Sequence, residues 1–550
     1  MPRLERRVGI LSLICIFLLA GIFGRAFWLQ GVQGSSFASQ AASQQQDIVE
    51  IPGLRGAILD RNGQELAGSE PGAAIYATPY QIKDPQAESE AVAKALGADQ
   101  DDVLEAITQP GGFSYVQKKV GLAHAQKVEK LGLEGIGQLP DTLRTRPQGD
   151  LASQVIGAVS DEGEGLTGLE SAEETILHGE NGEKRLVKDA LGDPIRLDTL
   201  SDASDGQSIQ LTIDAAIQAE AERVLAEVGN NSDPVNASAI VMDTKTSQVL
   251  AMANWPPVDL DNLGDADAES LLNIGTSYNY EPGSTFKAFT IAAALQSKTV
   301  TPESTFTLAP SIQVYDRLIE EGHPRGTVTL DVGNILAQSS NVGAVTIGLE
   351  MGGQKFSNWI DRFGFGSPTG IEYPGEEQGI VPAYEDYSGV TMANLPIGQG
   401  LAVTPIQMAA AYSALANDGV LRQPKLIKSI GGVETPDDPG RRVVSPEVAN
   451  EVTDMLKGVL APGGTASEVD VPGYTLAGKT GTAQVAIDGG YSDTRYVASF
   501  MGIAPADNPR IAVSVMVNEP QGAHTGGEIA APAFGELASF VLPYLGVPTE

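Results

Sequence analysis

The chain has 550 residues, too many for one ordinary core, and its 42% apolar and 19% charged content is that of a globular protein of two or three domains. A net charge of −35 repels polyanions, so nucleic acid is set aside as a partner. The single cysteine, Cys15, lies in an apolar run, which removes disulfides, cysteine zinc sites and a thiol nucleophile from consideration.

Val8–Gly24 carries no charge and, at ~1.5 Å per residue, reaches roughly 25 Å, near the lower limit for crossing a bilayer core. Arg3, Arg6 and Arg7 precede it and favour a cytoplasmic N-terminus, while Arg25 and Trp28 can extend the usable span at the interface. A cleaved signal peptide is the competing reading. No small-residue cleavage site directly follows the apolar run, so residues 1–30 are read as an uncleaved anchor with everything beyond exported. Residues 31–46 are rich in Gly, Ser, Gln and Ala and read as a linker.

From residue 47 to 207 the pattern is mixed. Ile48–Ile51 and Ala57–Leu59 read as short strands closed by the turn Asp60-Arg61-Asn62-Gly63, and Glu88–Leu96 and Ala123–Leu131 read as helices. A second unit, 208–550, opens with the strand Ser208–Thr212 and the helix Asp214–Val228, with Asp214 as its cap. Ala237–Asp243 and Val249–Ala253 form a hairpin. Tyr474–Val485, Tyr496–Ala504 and Arg510–Val517 are three further strands, and Ala531–Leu545 is a closing helix. Between the two strand groups lies a mainly helical block, where Thr404-Pro405-Ile406-Gln407 spells a capped helix start. This order implies an α+β architecture, an antiparallel sheet covered by helices with a cleft between the layers.

The four histidines (His124, His178, His323 and His524) lack ligand spacing and read as surface or loop residues, and no G-x-S-x-G elbow is present. No metal or cofactor is expected. Chemistry falls to Ser, Lys, Asn, Thr or carboxylates. Ser284-Thr285-Phe286-Lys287 follows the stop signal Pro282-Gly283 and opens an apolar helix, stacking a hydroxyl and an amine one turn apart near the positive end of the helix dipole. A lysine activates a hydroxyl only when neutral, a state that burial and a second cation favour. Roughly one such S-x-x-K arises by chance in a chain of this size. Ser339-Ser340-Asn341 sits at a break between the helices Leu330–Ala337 and Val342–Met351; read alone, it is a helix cap. Lys479-Thr480-Gly481-Thr482 lies inside a strand, where the glycine suggests close approach by a backbone or ligand and the lysine awaits an anion. The competing reading is a sheet edge guarded by a lysine.

The ordered trio S-x-x-K, S-x-N, K-T-G resembles the penicillin-recognising serine enzymes. Tyr280-Glu281-Pro282-Gly283, Arg55-Gly56-Ala57-Ile58-Leu59-Asp60-Arg61-Asn62-Gly63, Gly398-Gln399-Gly400 with Thr404-Pro405 and Gln407, and Ala477-Gly478 resemble class B penicillin-binding proteins. The tail, Ala498-Ser499-Phe500 through Ala504-Pro505-Ala506 and Asn518-Glu519-Pro520, is most similar to the septal, FtsI-type transpeptidases. The resemblance implies an elongated dimerisation-type pedestal and a β-lactamase-like transpeptidase domain, its sheet flanked by helices on both sides with an inserted all-helical subdomain.

The resemblance also implies roles. Ser284 would be the acyl-accepting nucleophile, Lys287 its base, Ser339 a proton relay, Asn341 an orienting amide and Lys479 the far-wall cation. Ser340, Thr480, Gly481 and Thr482 would line the substrate. The implied substrate is a peptidoglycan stem peptide ending in D-Ala-D-Ala, cross-linked through an acyl-enzyme, with β-lactams acylating the same serine. Implied partners are a polytopic glycan polymerase of the FtsW type and other division proteins. A side-wall transpeptidase, a D,D-carboxypeptidase or β-lactamase, and an anchored β-lactam sensor remain as alternatives. Asp60 and Arg61 read as a turn alone.

Overall fold

The structure is a computed structural model and describes residues 2–33, 46–188, 194–260, 262–265, 267–487 and 490–549. Most of the expected linker lies outside the described residues. Helix α1, Pro2–Phe27, continues through a π-helical turn at Trp28–Val32, so the apolar run forms one continuous element long enough to cross a bilayer, from Arg6 to Val32. The chain divides into two compact units. One comprises residues 1–54, 70–143 and 179–206; the other comprises 55–69, 144–178 and 207–550.

In the smaller unit, Gln46–Ile51, Gly182–Lys188 and Pro194–Ser201 form an antiparallel three-stranded sheet. A separate core gathers Ile75 and Val120 from strands with Val92, Leu96, Val103, Ile107 and Val128 from helices Pro85–Leu96, Gln100–Thr108 and Leu122–Glu129. The first of these helices starts at a capping Asp84, which accepts the Ala87 N–H, and ends at Gly97 with φ +74°.

The larger unit is built on a five-stranded, wholly antiparallel sheet. Helix α2, Ala215–Ser232, precedes strands β1, Asn236–Asp243, and β2, Val249–Trp255; Asp214 caps the helix by accepting the Ala216 and Ile217 N–H groups. Helices α3, Lys287–Gln296, α4, Asn341–Met351, α5, Pro405–Leu415, and α6, Pro446–Lys457, follow. Strands β3, Ala477–Ile487, β4, Gly490–Ala504, and β5, Ile511–Asn518, complete the sheet in the order β2-β1-β5-β4-β3, and α7, Ala530–Tyr544, closes the chain.

Strand alternation divides the apolar residues between two layers. Ala239, Val241, Phe500, Val513 and Val515 face α2 and α7 through Ile217, Leu225, Phe534 and Leu537. Ile240 and Met242 face α5 through Ile406 and Ala409, and Val497, Met501 and Ile503 join the core around α3 and α6. The capping box at α5 forms as its sequence spells it: Thr404 and Gln407 each bond the other's backbone N–H.

The inserted block differs from an all-helical subdomain. It carries two hairpin-like pairs, Thr305–Leu308 with Val328–Asp331 and Ser311–Val314 with Arg317–Glu320. Four-residue strands show too few alternations to register as a period, which is why the sequence pattern passes over them. Ile58–Leu59 runs parallel to Ile209–Leu211, and Ile209–Leu211 pairs with Ile427–Ile430, so the early R-G-A-I-L-D segment is woven into the larger unit. Asp60 does more than shape a turn. Its carboxylate accepts from the backbone of Asn62 (2.7 Å) and Gln64 (2.8 Å) and, through Oδ2, from Ala215 N–H at the start of α2 (3.2 Å).

Candidate active site

Ser284 is half-buried in a 3₁₀ turn, Gly283–Phe286, and α3 proper begins one residue later, at Lys287. The turn is fixed from behind. Gly283 N–H donates to Gly398 C=O (3.0 Å), Thr285 Oγ1 donates to Pro282 C=O (2.7 Å), and the buried Tyr412 of α5 donates its hydroxyl to Thr285 C=O (2.7 Å). Phe286 packs edge-on against Phe289 and at a tilt against Phe365, anchoring the start of the helix in the core. Gly398, at φ +76°, has no room for a side chain: a Cβ there would lie 2.1 Å from Gly283 O.

Lys287 is buried, 1% exposed. Its Nζ donates to Ser339 C=O (2.7 Å), Asn341 Oδ1 (2.7 Å) and Ser339 Oγ (3.2 Å). The Ser339–Asn341 turn is shaped to offer these acceptors. Ser339 takes φ +57°, uncommon for a residue with a side chain, and the Asn341 amide is held by Nδ2 donating to Glu320 C=O (2.9 Å). Burial pushes the Lys287 amine down to about 7, against the opposing pull of the Glu321 carboxylate. Three acceptors match the ammonium form and are one more than the neutral amine can serve, and among the described residues none of its hydrogen bonds reaches Ser284.

The cap reading of Ser339-Ser340-Asn341 applies to its middle residue. Ser340 is the N-cap of α4, accepting Gly343 N–H (2.9 Å), and is buried with its hydroxyl donated to Glu321 (2.7 Å). The structure therefore places Ser340 behind the turn rather than with the groups that meet at Lys287.

Lys479 lies on β3, the edge strand, yet is 0% exposed, so the edge does not use it as a solvated guard. Its Nζ donates to Thr480 C=O (3.0 Å) and Thr480 Oγ1 (3.3 Å), and among the described residues it forms no ion pair. Burial, reinforced by the neighbouring Lys287, holds its amine well below the usual lysine range. Two buried amines thus share the site, and charge on Lys287 disfavours charge on Lys479.

The close approach foreseen at Gly481 is to the turn that carries Ser284. A Cβ at Gly481 would lie 2.3 Å from Ser499 Oγ, 2.9 Å from Pro282 O and 3.0 Å from Thr285 Cγ2. The absent side chain lets β3 press against the turn that carries Ser284. Thr480 shares a 2.6 Å hydrogen bond with Thr465, and the exposed Thr482 accepts Gly526 N–H at 3.1 Å. Ser284, Lys287, Ser339, Asn341 and the K-T-G strand are therefore assembled from three separate segments. All four histidines are exposed; His178 pairs with Glu174, and His524 stacks on Tyr496. Among the described residues no three His, Cys, Asp or Glu side chains gather as metal ligands do.

Sequence reasoning missed Tyr412, Glu321 and Arg325, which support these residues from outside the motifs, and named Gly398 without a structural role. Only Gly398 carried a signal, within Gly398-Gln399-Gly400.

Comparison with known proteins agrees with this geometry. Residues 237–539 match the penicillin binding protein transpeptidase domain, and residues 50–211 match the penicillin-binding protein dimerisation domain. Penicillin-binding protein PbpB of Mycolicibacterium smegmatis is 32% identical, the alignment covering 99% of this chain and 91% of that protein. Peptidoglycan D,D-transpeptidase FtsI of Escherichia coli K12 is likewise 32% identical, over 98% of this chain and 91% of that protein. The apo crystal structure of penicillin binding protein 3 from Mycobacterium tuberculosis superimposes with a TM-score of 0.72 at 31% identity, covering 92% of this chain and 98% of that one. With its serine turn, buried lysine pair and K-T-G edge strand, the chain belongs to the class B penicillin-binding protein transpeptidases.

Proposed function

We propose that the protein is a serine D,D-transpeptidase that cross-links peptidoglycan stem peptides ending in D-Ala-D-Ala during septal wall synthesis, with Ser284 as nucleophile. The observation that carries this reading is the Lys287 amine, buried beside Asn341 and Ser339, with its pKa pushed down to about 7 and so able to act as a base near neutral pH. As Ser284 Oγ attacks the penultimate D-Ala carbonyl carbon, Lys287 takes the hydroxyl proton. The backbone N–H groups of Ser284 and Thr482 stabilise the oxyanion, a contribution of about 2.7–4 kcal/mol per donor. Collapse breaks the D-Ala–D-Ala peptide bond, and Ser339 passes the proton from Lys287 to the departing amine. The acyl-enzyme then reacts with the amine of a neighbouring stem. Lys287 takes a proton from that amine and returns it to Ser284 as the new amide forms.

Lys479, its amine held well below the usual lysine range by burial, meets the terminal carboxylate of the substrate, which favours its charged form, with Thr480 and Thr482 supplying hydroxyls to the same group. Asn341 fixes Lys287 and the substrate amide. Ser340 supports the turn from behind, and Gly481 keeps the edge strand close to Ser284. β-Lactams acylate the same serine, a reading supported by the M. tuberculosis relative, whose structure is described as complexed with aztreonam.

The helix from Arg6 to Val32 anchors the chain with its arginine-flanked N-terminus in the cytoplasm and the enzyme outside. The domains are taken as anchor 1–30, linker 31–46, pedestal 47–207 and transpeptidase 208–550. The pedestal docks with a polytopic glycan polymerase of the FtsW type among other division proteins. FtsI in the name of a relative aligned over 98% of this chain supports the septal assignment.

The test is full-length protein in detergent, incubated with nascent glycan strands bearing pentapeptide stems. Free D-Ala matched by cross-linked dimers is the expected result. D-Ala release with only hydrolysed tetrapeptide would make the protein a carboxypeptidase, and acylation by penicillin without any D-Ala release would make it a sensor.

A further inference from the structure

Behind the Ser339–Asn341 turn lies a charged pair that the chemistry above does not use. Glu321 follows the strand Arg317–Glu320, and its side chain is only 6% exposed. Oε1 accepts the Ser340 hydroxyl (2.7 Å) and Oε2 accepts Asn341 N–H (2.9 Å). Arg325 pairs with Oε1 and also donates to Ser340 Oγ (2.9 Å), closing a ring of three side chains. The carbonyl of the preceding Glu320 holds the Asn341 amide. One short stretch, Glu320 to Arg325, therefore grips both residues that follow Ser339.

A buried carboxylate costs several kcal/mol unless paired. Ser340 caps α4 by accepting Gly343 N–H, and Glu321 satisfies a second N–H of the helix start, that of Asn341, which a neutral acceptor could also do. What the carboxylate adds is charge. Glu321 pulls toward protonation of Lys287 against the burial that favours the neutral amine, and charge on Lys287 in turn disfavours charge on Lys479 of β3. Arg325 sits on Glu321 and offsets part of its field.

We propose that Glu321 and Arg325 are a positioning pair for the acylation reaction, holding the Ser339–Asn341 turn on Lys287 and balancing the charge felt there. The proposal rests on the reading of Lys287 as the base. The signs follow from Coulomb's law. Removing the negative charge of Glu321 favours the neutral amine and moves the acid limb of the acylation rate to lower pH. Removing the positive charge of Arg325 leaves Glu321 uncompensated and moves the limb to higher pH.

The experiment measures the second-order rate of acylation of the full-length protein by a fluorescent penicillin between about pH 5.5 and 9. Wild type, Glu321→Gln, Arg325→Met and Arg325→Lys are compared, with thermal melting to confirm folding. Arg325 is partly exposed, so its substitutions leave the core intact even if Glu321→Gln melts early. The expected result is a limb near pH 7 in wild type that shifts up by about half a pH unit in Arg325→Met, roughly a threefold loss of rate below the limb. Arg325→Lys restores the limb, and Glu321→Gln shifts it down together with a lower plateau. A wild-type limb left unmoved by both charge removals, or moved the same way by both, would overturn the pair as a charge device. A wild-type rate flat across the range would instead overturn Lys287 as base, and this proposal with it.

Discussion

Two groups of buried cations in the larger unit make opposite use of the same cost. Near its N-terminal segment, Arg55 and Arg144 close on one carboxylate. Arg55 Nε donates to Glu170 Oε2 (2.6 Å), Arg144 Nε donates to Glu170 Oε1 (2.8 Å), and Arg55 also pairs with Glu174 (2.7 Å). Other guanidinium donors reach the carbonyls of Glu170, Gly163 and Gly56. Every charge there has its own partner, and the result is a rigid joint. At the active site Lys287 and Lys479 are as deeply buried, yet they meet neutral acceptors and each other. A cation whose anion is built in holds structure together; a cation left without one is shifted toward its neutral form and kept for a proton or a passing carboxylate.

The comparison breaks most sharply at Lys287. Lys287→Met should lower the rate of acylation by about 10³-fold, in the range for loss of a general base, while the protein still folds. Stopped-flow or time-resolved labelling with penicillin reads the rate; a decrease of less than about tenfold would show that the buried amine is as structural as the arginines.

The joint should respond in the other sense. Glu170→Gln leaves two buried guanidinium groups short of charge and should cost about 3–5 kcal/mol in stability. Denaturant unfolding of the larger unit measures the loss, and the acylation rate of the remaining folded protein should be unchanged.

The smallest effect on stability is the most diagnostic. Lys479→Met removes a buried amine without an ion-pair partner and should raise the melting temperature by a few degrees, about 1–2 kcal/mol, while abolishing acylation. Stability should also depend on pH. Between about 7, the folded-state value of Lys287, and the usual lysine range, the unfolded chain binds protons that the buried amines do not. Wild-type stability therefore rises with pH across that window, and Lys479→Met flattens the rise. A variant that melts lower than wild type would indicate that Lys479 is tied in like Arg55.

The contrast also explains what could be read from the chain alone. Ser284, Lys287, Ser339, Asn341 and Lys479 could be singled out as candidates because each occurs in a short motif whose order along the chain is itself informative. Thr404 with Gln407 and Asp214 were legible because helix caps are local. Ser340 carries two readings for the same reason: the triplet marks a candidate site and a cap together, and the fold shows the cap. Arg55 with Glu170, and Glu321 with Arg325 and Ser340, join residues brought together by folding. An isolated Glu on a polar stretch has the same local pattern whether it ends up solvated or buried. Tyr412, whose hydroxyl steadies the nucleophile turn, reads in the sequence as one more apolar residue of a buried helix.

The central claim, that Ser284 becomes covalently acylated with Lys287 as its base, is tested most directly by locating the adduct. Full-length protein in detergent is treated with penicillin, and intact mass followed by peptide mapping identifies the modified residue in wild type and in Ser284→Ala. The account predicts a single penicilloyl adduct on the peptide containing Ser284 and no adduct in the variant. An adduct on another residue, or labelling that survives Ser284→Ala, would contradict it.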